Sequence, residues 1–415
     1  MASLLYLAPV DWTSIRQRPQ QLALRLARKH DLAYVNPVGL RSARFSDLRR
    51  LADPIAGARL RRRSDSLAVD DASAAPQIEM GPPFPVLNPR YMPFVGWRAL
   101  DAWNRRWLFR QLEPRLAGGP VVLWIGAPSL LAETLLERTQ PQLVVYDCMD
   151  RYAAFHRGRT RARIDRVERA IVERADLVFA TSQGLVERLQ PFASAVELLP
   201  NGVDFARFAI ARSAEPPDWR RKIAGPVVGY HGALGDWLDY EMLAWLAQRR
   251  RDWSFVVIGP NGSRRSRVFL SQPNVHYLGP LPYAELPGHT VWFDAGLVPF
   301  EQNDLTRCVH PIKALEYLAA GLPTVSTALA DLADLAGHVR FADTPYEWLS
   351  AIEDCLEPAA RSAELVAARR GAVAGRTWHR LGETVAARLA AALAAGATTP
   401  QQRSSLLKPS AKRAA

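Results

Sequence analysis

Short apolar segments alternate with amphipathic helical patterns along most of this chain, and this alternation constrains the fold more than any other feature. Six segments of the first half are apolar almost throughout: "LLYLAP", "LAYVNP", "VVLWIG", "LVVYDC", "DLVFAT" and "AVELLP". Continuously apolar strands are typical of parallel sheets that helices cover on both faces. Segments such as "RPQQLALRLARK" and "RARIDRVERAIVERA" supply such helices. The first half is therefore predicted to be a doubly wound α/β domain.

The same pattern starts again in the second half, with the predicted strands "PVVGYHG", "SFVVIGP", "NVHYLG", "DAGLVPF", "PTVST" and "HVRFAD". The intervening stretch "LLPNGVDFARFAIARSAEPPDWRRKIAG" is rich in proline, glycine and charge, which is typical of a linker. A length of 415 residues suits two such domains. We expect two Rossmann-like domains, over 1–205 and 206–375, then a helix over 376–395 and a disordered tail over 396–415.

Cysteine usage and hydropathy exclude several classes of protein. The chain has three cysteines without C-x-x-C spacing, which disfavours a disulfide framework or a zinc site. No D-x-D motif occurs, so we predict no metal and no cofactor. The apolar N-terminus lacks a basic n-region and is predicted to be a strand, and the longest Ala/Leu run is interrupted by Arg388. We expect a cytoplasmic protein, with peripheral attachment to the inner face of the membrane left open.

Polar residues follow two predicted strands of the first half, where parallel sheets bind ligands. Arg18 lies at the start of a predicted helix and could hold an anion, and Trp12 in the preceding loop could stack on a ring. The alternative is an ordinary loop with a solvated arginine. Asp147 and Asp150 end another strand and could take a proton from an acceptor hydroxyl. The alternative is that they cap the following helix.

Two stretches of the second half are candidates for phosphate and sugar binding. His231 and Gly232 follow a strand and precede "ALG", where small residues let a backbone approach a ligand. In "HPIKALEYLAAGLPTV", Lys313 and Glu316 lie about one turn apart near a predicted helix start. A lysine there suits a bound anion, and a carboxylate can accept hydrogen bonds from a ribose diol. The alternative is an exposed salt bridge.

These motifs resemble a known family. "NGVD", "GYHGALGDWLDYEML", "VHYLGPLPYAELP" and "HPIKALEYLAAGLPTV" are similar to the nucleotide-binding half of GT-B glycosyltransferases, of the family-4-like group that acts in bacterial polysaccharide assembly. "RQRPQQLA" and "YDCMDRYAAF" resemble the N-terminal half of that subgroup. The resemblance implies two Rossmann-like domains facing across a cleft, an acceptor-binding domain over 1–205 and a nucleotide-sugar-binding domain over 206–375. It also implies that the helix over 376–395 is a crossover helix that returns to the first domain. It also implies transfer of a sugar from a nucleotide-sugar donor to a glycan or lipid-linked acceptor, with retention.

The resemblance also implies roles for individual residues. The glutamate of the "EY" pair binds the donor ribose in the family, which carries to Glu316. The residues before it approach the diphosphate or the donor sugar, which carries to Val309, His310 and Lys313. The stretch "LGPLPYAELP" lies near the base in the family, which implies base contacts for two further residues, Leu281 and Tyr283.

The chain departs from the family pattern in two places. Many relatives carry two glutamates separated by seven residues, the first of which contacts the donor sugar, and Cys308 stands at the position of that first glutamate here. Many relatives also carry an arginine and a lysine after the first strand of the second domain, where this chain has "GALGDWLDYEML". These departures leave two alternatives open: a catalytically inactive GT-B scaffold and a sugar-nucleotide epimerase.

The basic charge indicates an anionic partner. The net charge is +12, and residues 39–63 hold eight arginines and two aspartates. Residues 91–115 interleave arginines with four large aromatic residues, which suits an anionic membrane surface; these are Trp97, Trp103, Trp107 and Phe109. The alternative is a buried aromatic face. No nucleic-acid-binding motif is present, so we expect no nucleic-acid partner.

Overall fold

The computed structural model describes residues 3–38, 82–92, 98–212 and 215–396. The arginine-rich stretch 39–63, Trp97 and all of the predicted tail 396–415 except its first residue lie outside these residues. Within them, the chain forms two parallel sheets, which confirms the predicted α/β fold.

The first sheet has the strand order β3-β2-β1-β4-β5-β6-β7, and every pairing in it is parallel. Its strands are β1 (Ser3–Leu7), β2 (Asp31–Val35), β3 (Val86–Leu87), β4 (Val121–Ile125), β5 (Leu143–Cys148), β6 (Leu177–Ala180) and β7 (Glu197–Leu198). Six of these match the predicted segments. The two-residue strand β3 was not predicted, because two residues are too few to show a hydrophobic period.

The second sheet has the order β10-β9-β8-β11-β12-β13, again with parallel pairings. Its strands are β8 (Val227–His231), β9 (Ser254–Ile258), β10 (Val275–Gly279), β11 (Ala295–Val298), β12 (Thr324–Ser326) and β13 (Val339–Phe341). All six were predicted. In both sheets the strand order reverses beside the first strand, and such a switch point places ligands at the carboxyl ends of the strands.

Helices cover both faces of each sheet, as the apolar strands require. They are α1 (Arg18–Leu26), α2 (Arg98–Leu116), α3 (Leu130–Arg138), α4 (Gly158–Val172), α5 (Gln183–Leu189), α6 (Phe205–Phe208), α7 (Asp218–Lys222), α8 (Tyr240–Arg249), α9 (Arg267–Leu270), α10 (Leu286–Thr290), α11 (Ile312–Ala320), α12 (Pro345–Leu356), α13 (Ala363–Ala374) and α14 (Trp378–Gly396). None of these described helices combines the length and hydropathy needed to cross a bilayer.

The last helix, α14, packs on the first sheet although it follows the second sheet in sequence. Trp378, Leu381 and Leu389 are buried in the same apolar cluster as Tyr6 of β1 and Trp124 of β4. Within that cluster the Tyr6 and Trp124 rings stack across neighbouring strands, with centroids 5.3 Å apart. The chain thus crosses between its two halves twice, and α14 ties its end to the first sheet.

Candidate active site

The carboxyl ends of β5 and β8 and the start of α11 bring three charged side chains together. Asp150 follows β5, and Lys313 and Glu316 lie on α11. Burial lowers the pKa of Lys313, and the negative charges of Glu316 and Asp150 partly oppose this lowering. Two carboxylates and one amine therefore share one partly buried site between the two sheets.

The local sequence explains why α11 begins and ends where it does. Pro311 is the N-cap in extended conformation, and no side chain caps the first-turn amides. Gly321 ends the helix with a φ of +79°, a left-handed conformation that favours glycine. Its interior residues from Ala314 to Ala320 are buried. The uncapped first turn leaves backbone N–H groups with no side-chain acceptor beside Lys313.

Gly232 makes room for the side chain of Lys313. A Cβ atom on Gly232 would lie 2.1 Å from Cε and 2.8 Å from Nζ of Lys313, and the glycine has a φ of +131°. The ammonium also lies 5.6 Å from the ring centroids of both Tyr230 and Phe300. No described residue forms an ion pair with Lys313 within 4 Å. The cation is thus held against the end of β8 and is available to an anion.

Glu316 is bound by His231 from the neighbouring strand end. Nε2 of His231 lies 3.0 Å from Oε2 of Glu316, and Nδ1 lies 2.9 Å from Oγ1 of Thr290. The hydroxyl of Tyr317 accepts a hydrogen bond of 3.0 Å from the backbone N–H of His231. His231 is only 1% exposed. The ring is therefore enclosed, and both of its nitrogens have protein partners. The predicted approach of a ligand to the backbone of His231 and Gly232 stays a prediction.

Asp150 has the environment of a proton acceptor that works near neutral pH. Burial raises its pKa to about 7, and the nearby ammonium of Lys313 partly opposes this rise. No hydrogen bond to its carboxylate comes from any described side chain. A half-buried carboxyl group with a pKa near neutrality can take up a proton in one step and release it in another.

Asp147 and Arg18 form an internal ion pair, so neither has the predicted role. Nε and Nη2 of Arg18 donate to Asp147 over 2.7–3.1 Å, and Nη1 donates to the carbonyl oxygen of Leu199 over 2.9 Å. Arg18 is 0% exposed and Asp147 is 2% exposed. The structure corrects both expectations, because a saturated and enclosed pair can reach neither an anion nor an acceptor hydroxyl. The pair links α1 to β5.

Trp12 is also part of the core. Its ring packs edge-on against Tyr34 at 5.1 Å and Phe84 at 5.0 Å between centroids. Its backbone N–H donates to the side-chain oxygen of Asn36 over 2.9 Å. The residue is 4% exposed. The expectation that Trp12 stacks on a ligand is therefore wrong, since its faces are already covered by protein.

The segment before α11 is attached to the first half of the chain. The hydroxyl of Ser182 donates to the backbone carbonyl oxygen of Cys308 over 2.9 Å. The side-chain amide of Asn201 donates to the backbone carbonyl oxygen of His310, also over 2.9 Å. Cys308 is 6% exposed and belongs to an apolar cluster of the first sheet. Position 308 therefore faces the first half of the chain.

The remaining predicted residues lie around α11. Burial lowers the pKa of His310 to about 4, so the imidazole is neutral, and its ring lies inside the protein. Val309 and Leu281 are half-buried against the core of the second sheet. Tyr283 packs edge-on against Phe208, and the charge of Glu316 contributes to its raised pKa after burial. The predicted donor contacts of these residues stay predictions.

Two features of the site were not found from the sequence. Thr290 supports His231 from α10, and Asp304 bridges to Arg151 at 3.0 Å and Arg161 at 3.5 Å across the two halves of the chain. Each of these pairs is separated by more than fifty residues, and no spacing rule signals such a contact. Only the topology brings them together.

Comparisons with known proteins agree with this architecture. Residues 225–358 match the family described as Glycosyl transferases group 1. A protein of Bacillus subtilis (strain 168) that is named as a teichuronic acid biosynthesis glycosyltransferase, TuaH, is 30% identical over 269 residues, which cover 60% of this chain and 67% of that protein.

Solved structures share the fold. Sucrose-phosphate synthase from Thermosynechococcus elongatus aligns over 94% of this chain and 98% of its own, with a TM-score of 0.66 and 15% identity. Anabaena HepE in complex with UDP and glucose aligns over 94% and 100%, with a TM-score of 0.65 and 15% identity. The two facing sheets are thus the GT-B arrangement, and the chain belongs to the group 1 glycosyltransferases.

Proposed function

We propose that this glycosyltransferase moves a sugar from a nucleoside-diphosphate donor to a glycan or lipid-linked acceptor in surface polysaccharide assembly, without a metal ion and with retention. We place the reaction in the cytoplasm, with the enzyme peripherally bound at the inner face of the membrane. The observation that carries the proposal is the arrangement of Lys313 and Glu316 on α11, across from Asp150. The similarity to TuaH, named for teichuronic acid biosynthesis, supports the pathway class.

The donor diphosphate is assigned to the start of α11. The ammonium of Lys313 lies over Gly232, beside first-turn amides that no side chain caps. A helix N-terminus and a cation stabilise the negative charge that develops on a leaving diphosphate. Lys313 would thereby do the work of the basic residues that relatives carry after β8. The bound UDP of HepE is a precedent for the donor class.

The ribose of the donor is assigned to Glu316, one turn further along α11. Its Oε2 is held by His231, which leaves Oε1 as the acceptor for a ribose hydroxyl. We place the base beyond it, beside Leu281 and Tyr283, and the donor sugar beside Val309 and the backbone of His310. In this arrangement the nucleotide lies along one face of α11, with its diphosphate at Lys313 and its base beyond Glu316.

Asp150 is assigned as the group that receives the proton of the acceptor hydroxyl. Its charge acts on Lys313, so it lies on the side of the sugar from which the diphosphate leaves. In a retaining reaction the acceptor attacks from that same side. The position of Asp150 therefore suits retention, and the anomeric proton signal of the product in an NMR spectrum would distinguish the two outcomes.

Nucleotide binding tests the donor site directly. We expect Glu316→Gln to weaken binding of the preferred nucleoside diphosphate, chosen from UDP, GDP, ADP and dTDP, by about tenfold to a hundredfold, because a charge-assisted hydrogen bond to ribose is lost. Isothermal titration calorimetry measures this change. Glu353→Gln, on the exposed face of α12, is the matched control and should bind like the wild type. Unchanged affinity in Glu316→Gln would contradict the assignment.

Binding titrations and assays of donor turnover together separate the two alternatives from an active transferase. A wild-type protein that binds no nucleoside diphosphate would indicate an inactive scaffold. A protein that binds a nucleotide-sugar and interconverts its sugar without an acceptor would indicate an epimerase. Consumption of donor that depends on an added glycan or lipid-linked acceptor would support the proposed transfer.

An exposed aromatic pair on α2 supports a membrane surface as a partner. The rings of Trp103 and Trp107 stack with centroids 5.7 Å apart, and the residues are 47% and 39% exposed. The exposed arginines Arg106 and Arg110 lie on the same face of the helix. Tryptophan and arginine side chains together suit the interface of an anionic bilayer. Such a bilayer is also where a lipid-linked acceptor would be found.

Vesicle flotation tests this partner. We expect the wild type to float with phosphatidylglycerol vesicles and not with phosphatidylcholine vesicles, and Trp103→Ala/Trp107→Ala to bind phosphatidylglycerol about tenfold more weakly, because two interfacial rings are lost. Tyr346→Ala, which removes a 72% exposed aromatic residue from α12, is the control and should float like the wild type. Equal flotation of the double variant would remove this partner from the proposal.

A further inference from the structure

The ring of His231 belongs to a series of buried hydrogen bonds that ends on Glu316. A chain of hydrogen bonds runs from the backbone carbonyl of Leu286 through Thr290 and His231 to Glu316. Thr290 Oγ1 lies 2.8 Å from the carbonyl oxygen of Leu286 and 2.9 Å from Nδ1 of His231, and Nε2 of His231 lies 3.0 Å from Oε2 of Glu316. The ring is also enclosed by Tyr317, whose centroid is 4.6 Å away, and by Phe208 at 6.0 Å. A histidine that is so fully enclosed has one orientation.

The hydrogen-bond inventory fixes where a proton must lie. If the hydroxyl of Thr290 donates to the carbonyl of Leu286, it accepts a hydrogen bond from the N–H at Nδ1 of His231. A second proton must then lie between Nε2 of His231 and Oε2 of Glu316. If the hydroxyl turns to donate to Nδ1, then Nε2 carries the proton and donates to Oε2. Either arrangement places one proton between Nε2 and Oε2. One oxygen of Glu316 is therefore held by the protein in each case.

This contact also determines which partner Glu316 takes. Lys313 precedes Glu316 by three residues on the same helix, a spacing at which oppositely charged side chains commonly pair. Within the described residues the two charges are not within the 4 Å of an ion pair, and Glu316 instead pairs with His231. Oε2 of Glu316 is therefore bound by His231 and not by the ammonium of Lys313.

We propose that His231 is a positioning residue that holds Oε2 of Glu316, so that Oε1 faces the ribose and Lys313 stays available to the diphosphate. This inference rests on the proposed donor site and deepens it. It makes one histidine responsible for separating the ribose-binding and phosphate-binding functions of α11. It also explains how a chain without a basic residue after β8 keeps a free cation at this place.

A double-mutant cycle on nucleotide affinity tests the proposal. We expect His231→Phe to weaken binding of the preferred nucleoside diphosphate about tenfold, because Glu316 then turns towards Lys313 and both contacts suffer. His231→Gln, which keeps an N–H donor, should recover most of the affinity. The double variant His231→Phe/Glu316→Gln should bind no more weakly than Glu316→Gln alone, since the histidine acts through the glutamate. His276→Phe, on β10, is the matched control and should bind like the wild type.

The outcomes separate this inference from the donor site itself. If Glu316→Gln binds nucleotide like the wild type, the donor-site assignment fails. If Glu316→Gln weakens binding but His231→Phe does not, or if the two losses multiply in the double variant, the positioning role is overturned. Thermal unfolding confirms that each variant is folded. Should His231→Phe not fold, Thr290→Val breaks the same chain one bond earlier, and an affinity equal to that of the wild type would overturn the proposal.

Discussion

Asp150→Asn is expected to lower kcat by about a hundredfold to ten-thousandfold, the range attributed to a lost general base. The substitution keeps the shape of the side chain but removes its ability to accept a proton. Nucleotide affinity should change little, because Asp150 is assigned to the acceptor hydroxyl. Steady-state kinetics with the preferred donor and its acceptor measure the effect. Asp354→Asn, an exposed change on α12, is the matched control and should retain full activity.

The pH dependence of the reaction distinguishes a base from a structural carboxylate. A base is active when deprotonated, so kcat should rise with pH through the pKa of Asp150, which burial raises to about 7. The Asp150→Asn variant should lose this inflection. Removing the ammonium in Lys313→Met should move the inflection upward, because that charge lowers the pKa of Asp150. A pH profile of Asp150→Asn that matches the wild type would contradict the role.

The same group makes a prediction about stability. The folded state binds the Asp150 proton more tightly than the unfolded chain, whose aspartates have an ordinary pKa of 3.8. The free energy of unfolding should therefore fall as the pH rises from about 4 to about 7, through the contribution of this residue. Asp150→Asn should be at least as stable as the wild type above pH 7. If Asp150→Asn lost its activity because it was unfolded, the role of Asp150 as a base would be contradicted.

Arg18→Met is expected to lower the free energy of unfolding by about 3–5 kcal/mol, the cost of leaving a buried carboxylate without its cation. Asp147 would remain enclosed near the end of β5, and no other described basic side chain forms an ion pair with it. Urea denaturation monitored by circular dichroism measures the loss. The double variant Arg18→Met/Asp147→Leu should recover a large part of the stability, because both charges are then removed together.

A surface arginine supplies the control for this experiment. Arg169 pairs with Glu173 at the end of α4, where the two side chains are 60% and 48% exposed, and Arg169→Met should cost at most about 1 kcal/mol. If Arg18→Met instead unfolds at the urea concentration of the wild type and loses nucleotide affinity, Arg18 would bind an anion after all. The structural assignment of the pair would then be contradicted.

The fold could be predicted from the sequence because hydrophobic periodicity is a local property. Continuous apolar runs located twelve of the thirteen strands of the described residues, and the parallel order followed from their alternation with helices. The start and end of α11 were also local signals, given by Pro311 and Gly321. Strand β3 was not predicted because it is only two residues long.

The site was predicted less well because side-chain direction and pairing are not local. The sequence correctly placed Arg18 at the start of a helix and Asp147 at the end of a strand. It could not show that they pair with each other across 129 positions, which removes both from the cleft. His231 was likewise placed beside the site, but its contact with Glu316 spans 85 positions. Only the residues of α11, which share one short helix, were brought together by spacing alone.

The packing of Cys308 limits how this chain could change in evolution. A Cβ atom on Gly184 would lie 2.7 Å from the carbonyl oxygen of Arg307 and 3.4 Å from Sγ of Cys308. A glutamate substituted at position 308 would carry its carboxylate into an apolar cluster rather than to a sugar. A single Cys308→Glu substitution is therefore not expected to place a carboxylate beside the donor sugar. A longer side chain at position 308 would require matching changes in both halves of the chain.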